Sequence, residues 1–429
     1  MNRRMWIVGI AAILMVASVL VSCSGKKKAD DGKVTINFWH LDSNDLHYPE
    51  WEKIAAEFTK LHPNVDIKIT VLENEAYKSK LATVMQSGNP PDIFRSWGGG
   101  VMNSFAESGL LKDITSEYKK NWDSKIGDGA VGVYSYKGKI YGLPYTMGGV
   151  GIWYNKELLA KVGYNTPPAT WKDFLDCVKK LKAAGITPIA LGEGDKWPGH
   201  FWWVYLAVRL GGKEAFDKAT IGGGSFNDEP FVKAGELLQE LIALNPFQEG
   251  FLAATYGGDQ AALMGNGKAA MELMGQWAPA VQIGSSESKK GIGDKLAFMP
   301  FPAVEGGKGK LTDIMGGGDG LVIGKNAPKE AIEFLKFITN IETQKFLTTG
   351  PLGIVPTAIG AETALTDPNL IAINKAVSSA GYFQLYYDQY LPPATGEVVK
   401  DATQGLFAGT MGPKEVAAAI AKSYQAEKK

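Results

Sequence analysis

Two alternating apolar-polar runs with a helical face between them constrain the fold of this chain. In Val34-Thr35-Ile36-Asn37-Phe38 and again in Val65-Asp66-Ile67-Lys68-Ile69-Thr70-Val71, every second residue is apolar, the two-residue period of a half-buried strand. Between them Trp51, Ile54, Ala55, Phe58 and Leu61 fall on one helical face, with Pro49 near the helix start. A second helix carries Tyr77, Leu81, Val84 and Met85, stops at Gly88-Asn89-Pro90-Pro91, and leads into the short apolar strand Asp92-Ile93-Phe94. Strands that alternate with helices at this spacing predict an α/β fold with a mainly parallel sheet covered on both faces. Ligands of such sheets sit at the carboxyl ends of the strands. Attention therefore goes to the loops His40 to His47 and Arg95 to Gly100.

Further on, Thr170 is placed to cap a helix whose inner face is Trp171, Phe174, Leu175, Val178 and Leu181. Ile186 to Leu191 reads as a strand that opens into Gly192-Glu193-Gly194-Asp195-Lys196-Trp197, and helices are expected over 228–244, 328–346 and 413–424. Glycine-rich joints at Gly148-Gly149, Gly222 to Gly224, Gly306-Gly307 and Gly316 to Gly318 mark places where lobes could meet. A chain of 429 residues exceeds one compact core at about 100–200 residues per domain, so two or three lobes are expected.

The N-terminus adds a location. Arg3 and Arg4 precede an apolar run from Trp6 to Val21, which is shorter than the roughly 20 residues a spanning helix needs. A basic start, a short apolar run and a small residue at the break make a secretory signal over residues 1–22. The closing Leu20-Val21-Ser22-Cys23 resembles a bacterial lipobox, so Cys23 is expected to be acylated, with residues 23–33 as a flexible tether. Cys177 is then the only other thiol; the exported body has no internal disulfide, and Cys177 fits an apolar helix face as a small core residue. The 45 basic and 45 acidic residues balance, and cleavage removes only Arg3 and Arg4. Near-neutral charge provides no long-range attraction for nucleic acid. Phe201 to Leu210 is too short to span a membrane and contains Arg209.

Catalytic signatures are absent: no G-x-S-x-G elbow, H-E-x-x-H helix or P-loop occurs. Gly265-Asn266-Gly267-Lys268-Ala269-Ala270 fits a loose dinucleotide pattern but follows a helical stretch instead of a strand. None of the four histidines has metal-ligand spacing, so neither metal nor cofactor is expected. The carboxylate pairs Asp42 with Asp45, Glu193 with Asp195, and Asp388 with Glu397 leave an exported carbohydrate-active hydrolase open as the alternative. Tryptophans are more telling. Trp97, Trp197 and Trp277 follow predicted strands and stand among glycines or prolines, as in Ser96-Trp97-Gly98-Gly99, Trp197-Pro198-Gly199 and Gly275-Gln276-Trp277-Ala278-Pro279. Sugar rings offer an apolar C–H face that stacks on indole, while their hydroxyls need polar groups at the rim. Loop indoles beside carboxylates therefore suit a neutral carbohydrate.

The order of motifs is specific. Phe38-Trp39-His40, Pro90-Pro91-Asp92-Ile93-Phe94, Gly142-Leu143-Pro144-Tyr145, Trp153-Tyr154-Asn155-Lys156-Glu157-Leu158, Pro167-Pro168-x-Thr170-Trp171 and Gly267-Lys268-Ala269-Ala270-Met271 through Gly275-x-Trp277 together resemble the family 1 extracellular solute-binding proteins, the sugar receptors of ABC importers related to maltose-binding protein. The resemblance implies a two-lobe periplasmic-binding-protein fold of type II. One lobe would comprise 34–145 with 314–347 and the other 146–313 with 348–429. The hinges would cross near 144–149, 303–317 and 348–353. It further implies a monomeric, non-enzymatic receptor, lipid-anchored outside the cytoplasm, that hands a mono- or oligosaccharide to the transmembrane subunits of an ABC permease. By resemblance, Trp277 is the stacking tryptophan, and Tyr154 lies in the Tyr-Asn-Lys motif that lines the cleft. His40 and Asp42 follow the first strand, and Trp97, Gly318 and Asp319 take strand-end and hinge positions. Trp197 is the second stacking platform, with Tyr387 and Asp388 as late contributors. Arg95 reads as a structural ion pair and stays outside this set. A receptor for a non-sugar polar solute remains the other alternative.

Overall fold

The computed structural model describes residues 32–428; the leader, Cys23 and most of the tether lie outside the described residues. The strands are β1 (Val34–His40), β2 (Val65–Val71), β3 (Ile93–Ser96), a small hairpin of β4 (Ser135–Tyr136) and β5 (Lys139–Ile140), β6 (Gly142–Gly149), β7 (Gly151–Asn155), β8 (Thr187–Ile189), β9 (Ala269–Met274), β10 (Leu296–Met299), β11 (Ile314–Ile323) and β12 (Phe383–Leu385). They form two main sheets. The first runs β12-β11-β3-β1-β2 with β6 paired to β11, and the second runs β10-β7-β9-β8.

The opening unit follows from its pattern. β1 pairs with β2 and β3 in parallel, and the helix Tyr48–Leu61 between β1 and β2 buries Trp51, Ile54, Ala55 and Phe58. Leu61, expected on that face, is instead 67% exposed in the last helical turn. Parallel pairing also joins β8 to β9 and β11 to β12, whereas β11 pairs antiparallel with β3 and β6, and β7 antiparallel with β9 and β10. The sheets are therefore mixed, because the strands at the crossings enter each lobe against the direction of its βαβ strands. The expected single helix over 328–346 is two, Lys329–Ile338 and Ile341–Thr349. The Asn340 side chain accepts a hydrogen bond from Thr343 N at 2.7 Å and starts the second.

Three crossings join the halves side by side. β6 and β11 pair from Gly316 opposite Gly149 to Val322 opposite Gly142, with a bulge between Asp319 and Gly320 that leaves Tyr145 without a partner in the ladder, and Val150 N, just past β6, donates to Met315 O at 2.8 Å. The third returns beside β6, with Met147 N donating to Val355 O at 3.1 Å and Thr357 Oγ1 to Pro144 O at 2.6 Å. This crossing is later than the expected 348–353, because Leu347, Leu352 and Ile354 still pack in the core around Ile36, Phe38 and Trp51. Glycine is required here by crowding. A Cβ on Gly316 would stand 2.2 Å from Gly148 O. Gly316→Ala is expected to push β11 off β6 and cost about 1–3 kcal/mol. A thermal unfolding midpoint equal to that of the parent protein would contradict this.

The second core is dominated by the helical segment Trp197–Thr220, two helices that meet at a kink at Gly212 (φ 59°), in which every residue from Phe201 to Arg209 is buried. Arg209 sits in that core as a staple. Its guanidinium donates to the carbonyls of Phe301, Pro302, Lys310 and Asp313, pinning the second crossing to the helix. Cys177 is fully buried on the face that also carries Trp171, Phe174 and Leu181. Among the described residues, no helix is long and apolar enough to cross a membrane.

Candidate ligand cleft

A cleft opens between the two halves. Its floor is built by three adjacent strands. Asp42 follows β1, Arg95 lies in β3, and Asp319 in β11 on the other side of β3. From the middle strand, Arg95 reaches both neighbours: one terminal nitrogen lies 2.8 and 2.9 Å from the Asp42 oxygens, and the other 2.6 Å from Asp319 Oδ2. Trp51 Nε1 also donates to Asp42 at 2.7 Å. All three charged side chains are buried. Burial opposes ionisation of Asp42, but Arg95, with His40 and His47, holds its carboxyl below the usual value. Burial pushes Asp319 up, with Arg95 opposing. The positive charge of Arg95 is shared between two carboxylates, so it is not free to meet an anionic ligand.

Aromatic rings form the walls. Tyr145 and Trp97 line the cleft on the side of the first sheet. Facing them, Trp197, Tyr256, Trp277 and Tyr386 form a continuous set, with ring centroids 4.9 Å apart for Trp197 and Tyr256, 6.4 Å for Trp197 and Trp277, and 6.3 Å for Trp277 and Tyr386. The Lys78 ammonium lies between the two walls, 5.5 Å from the Trp97 ring centre and 5.9 Å from that of Trp197, and pairs with Glu75 at 2.8 Å. Buried polar atoms on lining residues, among them Trp197 Nε1, Gln276 Oε1, Thr146 Oγ1 and Tyr386 OH, lack a hydrogen-bond partner. Buried polar groups are normally satisfied, so these are positions where ligand hydroxyls would complete the pairing.

The structure brings Asp42, Trp97, Trp197, Trp277, Asp319 and Asp388 to the cleft wall. It places four other expected site residues elsewhere. His40 is fully buried, packed between the rings of Trp51 and Tyr48, and burial lowers its pKa to about 4, with Arg95 adding to the effect and Asp42 opposing it. Tyr154 stands on β7 between β9 and β10, packed on the second core. Gly318 lies inside the β11 and β6 pairing, where its carbonyl accepts from Tyr134 OH at 3.1 Å. Tyr387 turns into the core against Phe216, Phe226 and Trp203, while its neighbour Tyr386 faces the cleft.

Arg95, expected as an ion pair, is one and also lines the floor. Lys78, Tyr145, Tyr256 and Gln276 join the lining without having been expected there. Of these, Gln276 carries a sequence signal, since it stands inside the Gly275-x-Trp277 motif. Trp197, expected on an open loop, begins the long buried helix instead.

The carboxylate pairs do not form an acid-base site. Asp42 is saturated by Arg95 and Trp51, and Glu193 is fully buried. Asp388 lies 3.4 Å from His200 Nε2; against the effect of burial, His200, Lys78 and Lys400 hold its carboxyl well below the usual range. Among the described residues, no group of three or more His, Cys, Asp or Glu side chains could hold a metal ion.

Two α/β lobes joined by paired crossings around an aromatic cleft define a binding protein that holds its ligand between lobes. Residues 44–345 match the bacterial extracellular solute-binding protein family, and the chain belongs to it. It is 26% identical over 355 residues to the multiple sugar-binding protein of Streptococcus mutans, covering 77% of this chain and 78% of that one. A solved structure from work on xylan utilization by the thermophilic bacterium Caldanaerobius polysaccharolyticus superposes with a TM-score of 0.84 at 29% identity, covering 91% of this chain and 99% of that one. A chitin oligosaccharide binding protein superposes with a TM-score of 0.83 at 26% identity, covering 92% and 98%.

Proposed function

We propose that this protein is the sugar-binding component of an ABC importer, capturing a neutral mono- or oligosaccharide between its lobes and presenting it to the transmembrane subunits. The observation that carries this reading is the pair of aromatic walls whose unpartnered polar atoms surround a charge-saturated floor. Indole and phenol faces suit the C–H faces of pyranose rings, and the unpartnered atoms suit their hydroxyls. The sugar-binding relatives and the xylan and chitin settings of the similar structures support the same ligand class. A ligand that touches both walls binds the closed arrangement better than the open one, and that difference in affinity drives closure. The moving bodies are 34–145 with β11 and the segment to about 354, against the remainder. A titration of tryptophan emission with neutral xylo-, chito- and malto-oligosaccharides tests the reading: saturable quenching by at least one is expected, and no response to any would contradict it.

Placement outside the cytoplasm follows from family membership, and the lipid anchor belongs to this proposal. Acyl chains on Cys23, at about 0.8 kcal/mol per buried methylene, would hold the receptor beside its permease as a monomer on the 23–33 tether. Cys23→Ser is expected to release the protein into the soluble fraction with unchanged sugar affinity. Retention of the variant on membranes would reject acylation.

A further inference from the structure

We infer that Glu272 is a positioning residue: one buried carboxylate ties together the three separate segments that carry Trp197, Tyr256 and Trp277. Glu272 lies in β9, a strand buried along its whole length, and is itself fully buried. Gln260 Nε2 donates to Glu272 Oε2 at 2.9 Å, and Gln282 Nε2 donates to Oε1 at 2.6 Å. Each glutamine belongs to an element that begins with, or directly follows, a cleft aromatic. Gln260 closes the π-helical turn that starts at Tyr256, and Gln282 lies in the helix Ala278–Ser285 directly after Trp277. The third tie runs through the same glutamine. Gln260 Oε1 accepts from Gly192 N at 2.7 Å, at the head of the loop that ends in Trp197, and within that loop Asp195 Oδ2 accepts from Tyr256 N at 2.7 Å.

The arrangement is costly if it serves stability alone. Burial pushes the Glu272 carboxyl up to about 7, and only the two amide donors oppose that shift. An apolar residue would continue the packing of Ala270, Met271, Leu273 and Met274 without that cost. What the carboxylate supplies is direction. Two acceptor oxygens facing two amide donors, with the back of one amide committed to Gly192, admit a single orientation of the three segments. π-helical turns are themselves concentrated at functional sites, as at Tyr256.

The test compares the intact protein with Glu272→Gln and with the exchanged pair Glu272→Gln plus Gln260→Glu. In the single variant the introduced amide offers one acceptor oxygen in place of two, so one of the two glutamine Nε2 groups loses its acceptor. In the exchanged pair the carboxylate sits at position 260, where it still accepts from Gly192 N and now also from the amide introduced at position 272. The amide oxygen at position 272 still accepts from Gln282, so every bond regains a donor and an acceptor. The first readout needs no ligand: near-ultraviolet circular dichroism of the tryptophan and tyrosine cluster. The single variant is expected to lose much of the native aromatic signal at unchanged far-ultraviolet spectrum, and the exchanged pair to restore it. A single variant with the native spectrum, or an exchanged pair that fails to fold or to restore it, would overturn the inference. The second readout rests on the proposed sugar reading: affinity for whichever oligosaccharide quenches the parent protein is expected to fall about tenfold in the single variant and return in the exchanged pair. Because the dichroism is measured on free protein, failure of the sugar reading would leave the first readout intact.

Discussion

Trp277→Ala is expected to weaken sugar binding by about 2–4 kcal/mol, roughly 30- to 1,000-fold, while leaving the fold intact. The contrast rests on where the indole stands. Trp277 is only half-buried, at the edge of the second core and directly before the helix Ala278–Ser285, and its ring lies over Gly275, where an added Cβ would come within 2.2 Å of it. That seat holds the ring in place from behind and leaves it in the cleft wall beside Trp197 and Tyr386. Truncation removes the stacking surface but little core. Trp197 provides the control: it is 8% exposed and packs on Phe201 and Tyr256, so Trp197→Ala should lower both affinity and melting temperature. Calorimetric titration of both variants, paired with thermal unfolding, checks the prediction. Near-native affinity in Trp277→Ala would remove that residue from the site.

Arg95→Met should have the largest effect on stability. It leaves Asp42 and Asp319, both buried, without the cation that sits between them. Breaking a buried charge cluster by removing one partner costs about 3–5 kcal/mol, because the remaining charges are neither solvated nor paired. The sign with pH follows. Without Arg95, burial raises the folded-state affinity of these carboxyls for protons above that of the unfolded chain. The variant should therefore recover stability in acid and lose it as the pH rises through the raised values. Asp319→Asn added to Arg95→Met removes one of the stranded charges and should recover part of the loss. Denaturant midpoints at pH 5 and pH 8 report both effects; equal stability of Arg95→Met and the parent at pH 8 would contradict the account of the floor.

What can be read from the chain divides by the range of the interaction. β1, β2 and the Trp51, Ile54 and Phe58 face are legible because strand and helix periods are local properties of the sequence. Trp97 and Trp277 are legible because glycine and proline beside an indole mark a turn, whereas the same signal misplaces Trp197, which begins a buried helix although its ring still lines the cleft. The place of Arg95 in the cleft is hidden for the opposite reason. Residues 42, 95 and 319 meet only once β3 is known to lie between β1 and β11, and that order is set by a crossing more than two hundred residues later. The choice between Tyr387 and Tyr386 turns on the short helix Tyr387–Tyr390, which sends one ring of the doublet into the core and leaves the other at the cleft. Gly318 reads from sequence as a cleft contributor, yet what its position requires is room: a Cβ there would meet Met147 Sδ at 2.2 Å. Glu272 has no local signal of purpose, since a single carboxylate in Ala269-Ala270-Met271-Glu272-Leu273-Met274 has meaning only with Gln260 and Gln282 beside it.

A sugar held between the two aromatic walls is expected to bring the lobes together. Small-angle X-ray scattering of the protein alone and with a saturating amount of the oligosaccharide that quenches its tryptophans tests this most directly. A smaller radius of gyration is expected with sugar, and no such change in Trp277→Ala at the same sugar concentration. Superimposable curves for the free and saturated protein would contradict it.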